Sequence, residues 1–191
     1  MNNIKMIVGL GNIGKKFIGS RHNVGSDYIY YLANYFKIKL NKIEKLHSYI
    51  GFVNLSNKKL ILLIPDTFMN NSGKSILLAS NFYKIILNEI LIIHDELDFL
   101  PGKIKFKYGG GSAGHNGLND IIKNFNNKLF YRLRIGIGHP KNKLKINNFV
   151  LNKPTVIEKK IINSSMRNII NAIKIFINTN YYKAMNYLHS K

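Results

Sequence analysis

The chain has 191 residues, a formal charge of +20 and no cysteine. That length suits one domain around one core, and the missing thiols exclude disulfide scaffolds and thiolate metal sites. No apolar run approaches the roughly 18 residues of a membrane span, and the apolar N-terminal stretch meets Gly9 too early for a signal peptide, so a soluble cytoplasmic protein is expected.

Ile4 to Leu10 reads as a short apolar strand ending in glycines. Asn23 to Phe36 has helical spacing, with Val24, Ile29, Leu32 and Phe36 as its expected core contacts. Tyr49 to Leu55 and Lys59 to Pro65 read as a strand pair with Asn57 and Lys58 at the turn. Asn70 to Phe82 is the next expected helix. Glu89 to His94 is almost continuously apolar, as in a strand buried on both faces. Ile104 to Tyr108 and Arg132 to Gly138 alternate as strands, with a helix over Asn116 to Phe125 between them. Lys141 to Asn148 reads as a polar loop. A last helix opens with Thr155 and Glu158 at capping-box spacing, beside Pro154, and carries Ile157, Ile161, Ile162, Ile169, Ile173 and Phe176 at helical intervals. Strands and helices interleave without a linker, which predicts a single α/β domain spanning residues 1–191. Its central sheet is expected to be twisted, mixed and largely parallel, flanked by helices.

The charge has two readings. It fits a polyanionic partner, nucleic acid first. It also fits a chain-wide drift toward lysine, isoleucine and asparagine. The four arginines, Arg21, Arg132, Arg134 and Arg167, are better witnesses than the lysines, because drift toward lysine has not removed them. Lys103, Lys105 and Lys107 fall on one face of their strand, and Arg132 and Arg134 on one face of theirs.

Two glycine motifs compete for attention. Gly9, Gly11 and Gly14 fit the dinucleotide-binding spacing, but Lys15 to Arg21 has no helical apolar face and no acidic residue closes a second strand. Gly9, Gly14 and Lys15 nearly form a phosphate loop, but Lys16 stands where a magnesium-binding hydroxyl is needed. The turn then displays Asn12 at the sheet's carboxyl edge, where open α/β sheets place ligands. The second motif, Gly109 to Leu118, is too poor in side chains to serve packing and ends in His115 and Asn116.

Asn12, His22, Asn70, His94, Asp95 and Asn116 each follow an expected strand near a helix start. In a largely parallel sheet they converge at one edge. A histidine with a carboxylate makes a general base, because the carboxylate fixes the tautomer and stabilises the imidazolium. No protein nucleophile is evident, so the base would activate water, and the amides would orient it or meet a developing oxyanion. This predicts metal-independent hydrolysis of an activated acyl bond, with His115 as an alternative base. His94 is expected on the opposite side of its strand from Asp95.

Taken together, GLGNIG, RHNVG, TFMNNSG, HDELD, GGGSAGHNGL and RLRIGIGHP resemble the bacterial peptidyl-tRNA hydrolase family, in order and over nearly the whole chain. The resemblance implies a monomeric, cytoplasmic, cofactor-free esterase that releases peptide from the 3′ ribose of tRNA. By it, His22 is the base and Asp95 its partner. Asn12, Asn70 and Asn116 position substrate and water, Phe17 and Phe68 line the substrate site, and Lys107 and Arg134 contact tRNA phosphate. Two positions depart from the family pattern. Ile13 stands where proline is usual, which loosens the loop, and Phe17 stands where tyrosine is usual, which removes a hydroxyl contact.

Overall fold

In the computed structural model, residues 4–55, 57–140, 142 and 145–190 are described. They build a 7-stranded mixed sheet. Its strands are β1 (Met6–Gly9), β2 (Asn41–Ile43), β3 (Ser48–Leu55), β4 (Lys58–Pro65), β5 (Ile90–Glu96), β6 (Ile104–Tyr108) and β7 (Tyr131–Gly136). Across the sheet the order is β2-β3-β4-β1-β5-β7-β6. The four central strands run parallel, while β2, β3 and β6 are antiparallel to their neighbours.

The sequence builds this sheet by period-two burial on both sides. Ile7, Leu62, Leu91 and Ile93 face one core with Leu133 and Ile135 of β7. Met6, Val8, Ile61, Leu63, Ile90 and Ile92 face the other. Both faces are dry because helices cover both, as parallel sheets require. The first face carries α1 (Val24–Tyr35), α5 (Val156–Asn178) and α6 (Tyr181–His189). The second carries α2 (Ser72–Tyr83) and α3 (Asn116–Phe125). Val24, Ile29 and Leu32 are core residues as expected, and Phe36 packs partly buried at the margin.

Differences from the sequence expectations have local causes. Leu55 pairs with Lys58, so Lys58 belongs to the strand and Asn57, at φ 62°, carries the turn. The polar run from Lys141 gives way to a short helix, α4 (Ile146–Leu151), whose Val150 reaches the core; Lys141, Lys143 and Leu144 lie outside the described residues. The short edge strand β2 and helix α6 were not legible, the one for its three residues, the other because only Ala184 and Leu188 of it are buried. The capping box at Thr155 and Glu158 is formed and opens α5.

The chain leaves the carboxyl ends of β1 and β5 on the same edge, with β4 and β7 outside them, and this is where the sheet's connection order reverses. Helix α1 starts hard against this edge. A Cβ at Gly25 would lie 2.3 Å from the Ile93 carbonyl oxygen and 2.7 Å from the backbone of Leu10. Only glycine lets the helix approach so closely. Gly25→Ala is expected to cost about 1–3 kcal/mol, as overpacking does, read as a lower urea midpoint at unchanged slope; a midpoint equal to wild type would contradict the close approach.

Candidate active site

The close start of α1 brings His22, in the 3-10 turn Arg21–Asn23, over the end of β5. There its Nδ1 lies 2.8 Å from Asp95 Oδ2 and 2.9 Å from Oδ1. Both residues are buried. Burial alone would raise the Asp95 carboxyl, but the electrostatic pull of the His22 and His115 rings and their hydrogen bonds outweigh it and hold the group far below the usual carboxylate range. Asp95 is therefore ionised and only accepts. The Nδ1 of His22 carries the proton, and its Nε2 keeps a lone pair. Burial disfavours the charged His22 ring, yet the Asp95 charge and hydrogen bond win, so its pKa is raised above 6.5.

His115 is the second partner. Its Nε2 lies 3.0 Å from Asp95 Oδ1, and its Nδ1 accepts from the backbone N–H groups of Gly117 and Leu118 at 3.1 and 3.3 Å. The ring is thus the N-cap of α3, an office usually held by a short polar residue. Accepting at Nδ1 and donating at Nε2 assigns this ring one tautomer. His94, whose Nδ1 lies 2.7 Å from the Asp95 carbonyl oxygen, is pushed down to about 3 by burial, aided by His115, and stays neutral. Its ring stands 5.1 Å from that of His115, and despite alternation along the strand both His94 and Asp95 line one cavity.

That cavity, of about 410 Å³, is lined by His22, Asp95, His115 and Asn116, by Lys107, Arg132 and Arg134, and by Ile146, Asn147 and Val150 of α4. Asn116 is exposed there, at the first turn of α3. Gly117 packs so closely that a Cβ would lie 2.6 Å from Met69 Sδ and 3.0 Å from Leu10. The starts of α3, the turn holding Asn70 (Met69–Asn71) and the loop holding Asn12 are thereby drawn together.

Asn12 is oriented by its neighbours. Its Oδ1 accepts the Met69 N–H at 2.8 Å, which leaves its NH2 as the side chain's donor. Its backbone N–H and carbonyl are both held by the Asn23 side chain, at 2.8 and 3.0 Å. Asn23 is a site residue that the sequence concealed. The sequence places it at the start of the Asn23 to Phe36 helix; in the structure it stands at the N-cap of α1 and makes no capping bond. Phe17 and Phe68 meet edge to face with ring centres 6.3 Å apart, Phe68 being half exposed; neither lines the cavity.

The basic faces turn out contiguous and unequal. Lys105 pairs with Arg134 and Lys107 with Arg132 across β6 and β7, while Lys103 precedes the strand. Arg134 reaches Glu96 at 3.3 Å. Arg132 is buried, so it does not belong to a solvent-facing patch as its alternation suggested. Arg21 is buried too, bonding the Phe149 and Lys153 carbonyls and Glu158, which fastens α4 beside His22.

Comparison with known proteins gives the family and the fold. The family model described as peptidyl-tRNA hydrolase matches residues 6–191. A peptidyl-tRNA hydrolase of Proteus mirabilis (strain HI4320) is 47% identical over 191 residues, covering 100% of this chain and 98% of that protein. One of Yersinia pseudotuberculosis serotype O:1b is 46% identical over the same length, with 97% of that protein covered. The crystal structure of peptidyl-tRNA hydrolase from Acinetobacter baumannii superposes with a TM-score of 0.94 at 40% identity, covering 98% of this chain and 95% of the other.

The His22–Asp95 contact has a measurable sign. With the folded value raised, the pair's contribution to stability is complete below 6.5 and is lost as pH climbs through the folded value. NMR titration of the His22 ring is expected to give a midpoint above 6.5. In Asp95→Asn the attraction goes and burial remains, so the midpoint should fall below 6.5; equal midpoints in the two proteins would refute the coupling.

Proposed function

The chain belongs to the peptidyl-tRNA hydrolase family and is a hydrolase of that kind, and on that premise we propose that it cleaves the ester between peptide and the 3′ ribose of tRNA with water activated at His22 and without a metal ion. The observation that carries this reading is the buried contact of 2.8 Å between His22 Nδ1 and ionised Asp95. It leaves Nε2 as the one basic nitrogen of the pair.

In the proposed step, Nε2 takes a proton from water as the oxygen attacks the ester carbonyl. Asp95 stabilises the imidazolium so formed. The carbonyl electron pair moves to oxygen, where amide donors, the Asn12 NH2 first, with Asn70 and Asn116, meet the negative charge. The tetrahedral intermediate then collapses. The bond to the ribose 3′ oxygen breaks, and that oxygen leaves with the proton held on Nε2. Products are a free peptide acid and a tRNA 3′ hydroxyl, with His22 restored. His115 serves as orienter rather than base, because its Nδ1 lone pair is engaged by α3.

The metal question turns on tautomers. The ligand atoms of His22, Asp95 and His115 lie within 4.8 Å of one another, a spacing open to a cation. A metal would need the lone pair of His115 Nε2. That nitrogen carries the proton, since Nδ1 accepts two backbone N–H groups. Ligation would therefore uncap α3. Lys107 and Arg134, at the rim of the same cavity, suit the phosphates of the tRNA acceptor end. Phe17 and Phe68 offer apolar faces to the substrate outside the cavity. The protein is proposed to work as a monomer in the cytoplasm.

His22→Ala is expected to lower kcat on N-acetyl-aminoacyl-tRNA by about 10²–10⁴-fold, as loss of a general base does, while folding normally by circular dichroism. Wild-type turnover should be unchanged in EDTA. A variant as fast as wild type, or loss of activity in chelator, would overturn the respective part of the reading. Lys107→Ala and Arg134→Ala should each weaken tRNA binding and reduce the slope of log K against log salt by about one; an unchanged slope would remove that residue from phosphate contact.

A further inference from the structure

Arg132 is 2% exposed. Its guanidinium donates to the Gly111 carbonyl from Nη1 at 2.7 Å and to the Gly110 carbonyl from Nη2. The group lies 4.4 Å from the centre of the Phe130 ring. Among the described residues no carboxylate bonds to it. Its Nε is buried without a partner among the described residues. Burial, with Arg134 nearby adding repulsion and Glu96 partly offsetting it, pushes its pKa down to about 10. A buried cation held by carbonyl dipoles and a ring face, without a directly bonded carboxylate among the described residues, is an expensive arrangement, and a plain structural role would be met as well by an apolar side chain.

What it grips explains the expense. Gly109, Gly110, Ala113 and Gly114 all have positive φ, and nothing lies within 4 Å of where a Cβ would stand at Gly111 or Gly114. The run has almost no side chains with which to hold itself. Yet it leads directly into His115, whose ring must reach Asp95 at 3.0 Å, and into Asn116. Gly111 stands four residues before His115, so a shift in Gly110–Gly111 reaches both through a short stretch of backbone.

We propose that Arg132 is a positioning residue for the hydrolysis, fastening the glycine run so that His115 reaches Asp95 and Asn116 lines the cavity beside it, and that it makes no contact with tRNA phosphate. This rests on the esterase reading of the cavity above. It separates the two arginines of β7: Arg134 faces the substrate's charge, whereas Arg132 faces the protein's own backbone. Losing the grip leaves the substrate's phosphates bound as before and misaligns the groups around the ester. Misplacement of about 1 Å can cost on the order of 10²-fold in rate.

Steady-state kinetics on N-acetyl-aminoacyl-tRNA at several salt concentrations, with amide hydrogen exchange of residues 109–116, test this in wild type, Arg132→Met and Arg132→Lys. Arg132→Met is expected to lose about 10- to 100-fold in kcat, with KM and the salt slope unchanged and faster exchange over 110–115. Arg132→Lys, which can keep a carbonyl contact, should recover part of the rate and part of the protection. A raised KM and a salt slope reduced by about one, at unchanged kcat, would make Arg132 a phosphate contact and overturn the proposal; so would wild-type kinetics in both variants. Should Arg132→Met fail to fold, Arg132→Lys decides by the same split, an unchanged kcat with unchanged exchange counting against the proposal. Absence of cleavage by wild type itself would instead strike the esterase reading, so the two failures are distinguishable.

Discussion

Asp95 is an ionised carboxylate with almost no access to water, and its charge has to be answered by donors brought from elsewhere in the chain. Two imidazoles answer it. One comes from the turn before α1, 73 residues earlier, and one from the end of the glycine run, 20 residues later. Removing one partner of a buried pair generally costs about 3–5 kcal/mol, so this contact ties stability to geometry. It also assigns each ring its tautomer, and the tautomers decide what each ring can do. His22 keeps a lone pair free. His115 has spent its own on the backbone of α3.

The carboxylate is reached because the backbone is allowed to come close. Gly25 lets α1 lie on the ends of β1 and β5, and Gly117 lets α3 lie on Met69 and Leu10. Each contact places a helix N-terminus at the carboxyl edge of the sheet. Around them, asparagines serve backbone groups as much as substrate. The Asn23 side chain holds both the backbone N–H and the backbone carbonyl of Asn12, and the Met69 N–H donates to the Asn12 side-chain Oδ1, so the direction of one amide is settled by two neighbours. Ile13, in this same loop, donates its N–H to the Thr67 carbonyl at 3.3 Å. A proline there could not make that bond, so the loop is held by a hydrogen bond where the family pattern uses a ring.

Charge divides by burial. The lysines of the chain are largely spread over solvated surface, as compositional drift would leave them. Two of the four arginines serve geometry. Arg21 clasps α4 and the start of α5. Arg132 clasps the glycine run. A planar fork of fixed donors grips paired carbonyls in a way that a lysine ammonium does not. Only Arg134, beside Lys107, keeps part of its charge available to the cavity.

The alternating apolar pattern, the parallel core strands, the capping box and the edge at which polar residues gather were all legible in the sequence, because they follow from periodicity and from the rule that open sheets carry ligands at their carboxyl ends. His22 and Asp95 could be named from the chemistry of a base and its partner together with a family likeness. What the sequence could not give was direction. Asn23 reads as the first residue of a helix and is a brace for Asn12; His115 reads as an alternative base and is a helix cap; Arg132 reads as one of a basic pair on a strand face and is an internal clasp. Each of these depends on which backbone groups stand within about 3 Å, and such neighbours lie far apart along the chain. Composition and spacing determined the kinds of groups present and the layers they fall in, whereas only the packing of helices onto the sheet edge decided which lone pair stayed free, because a hydrogen bond depends on distance and angle and neither is written in residue order.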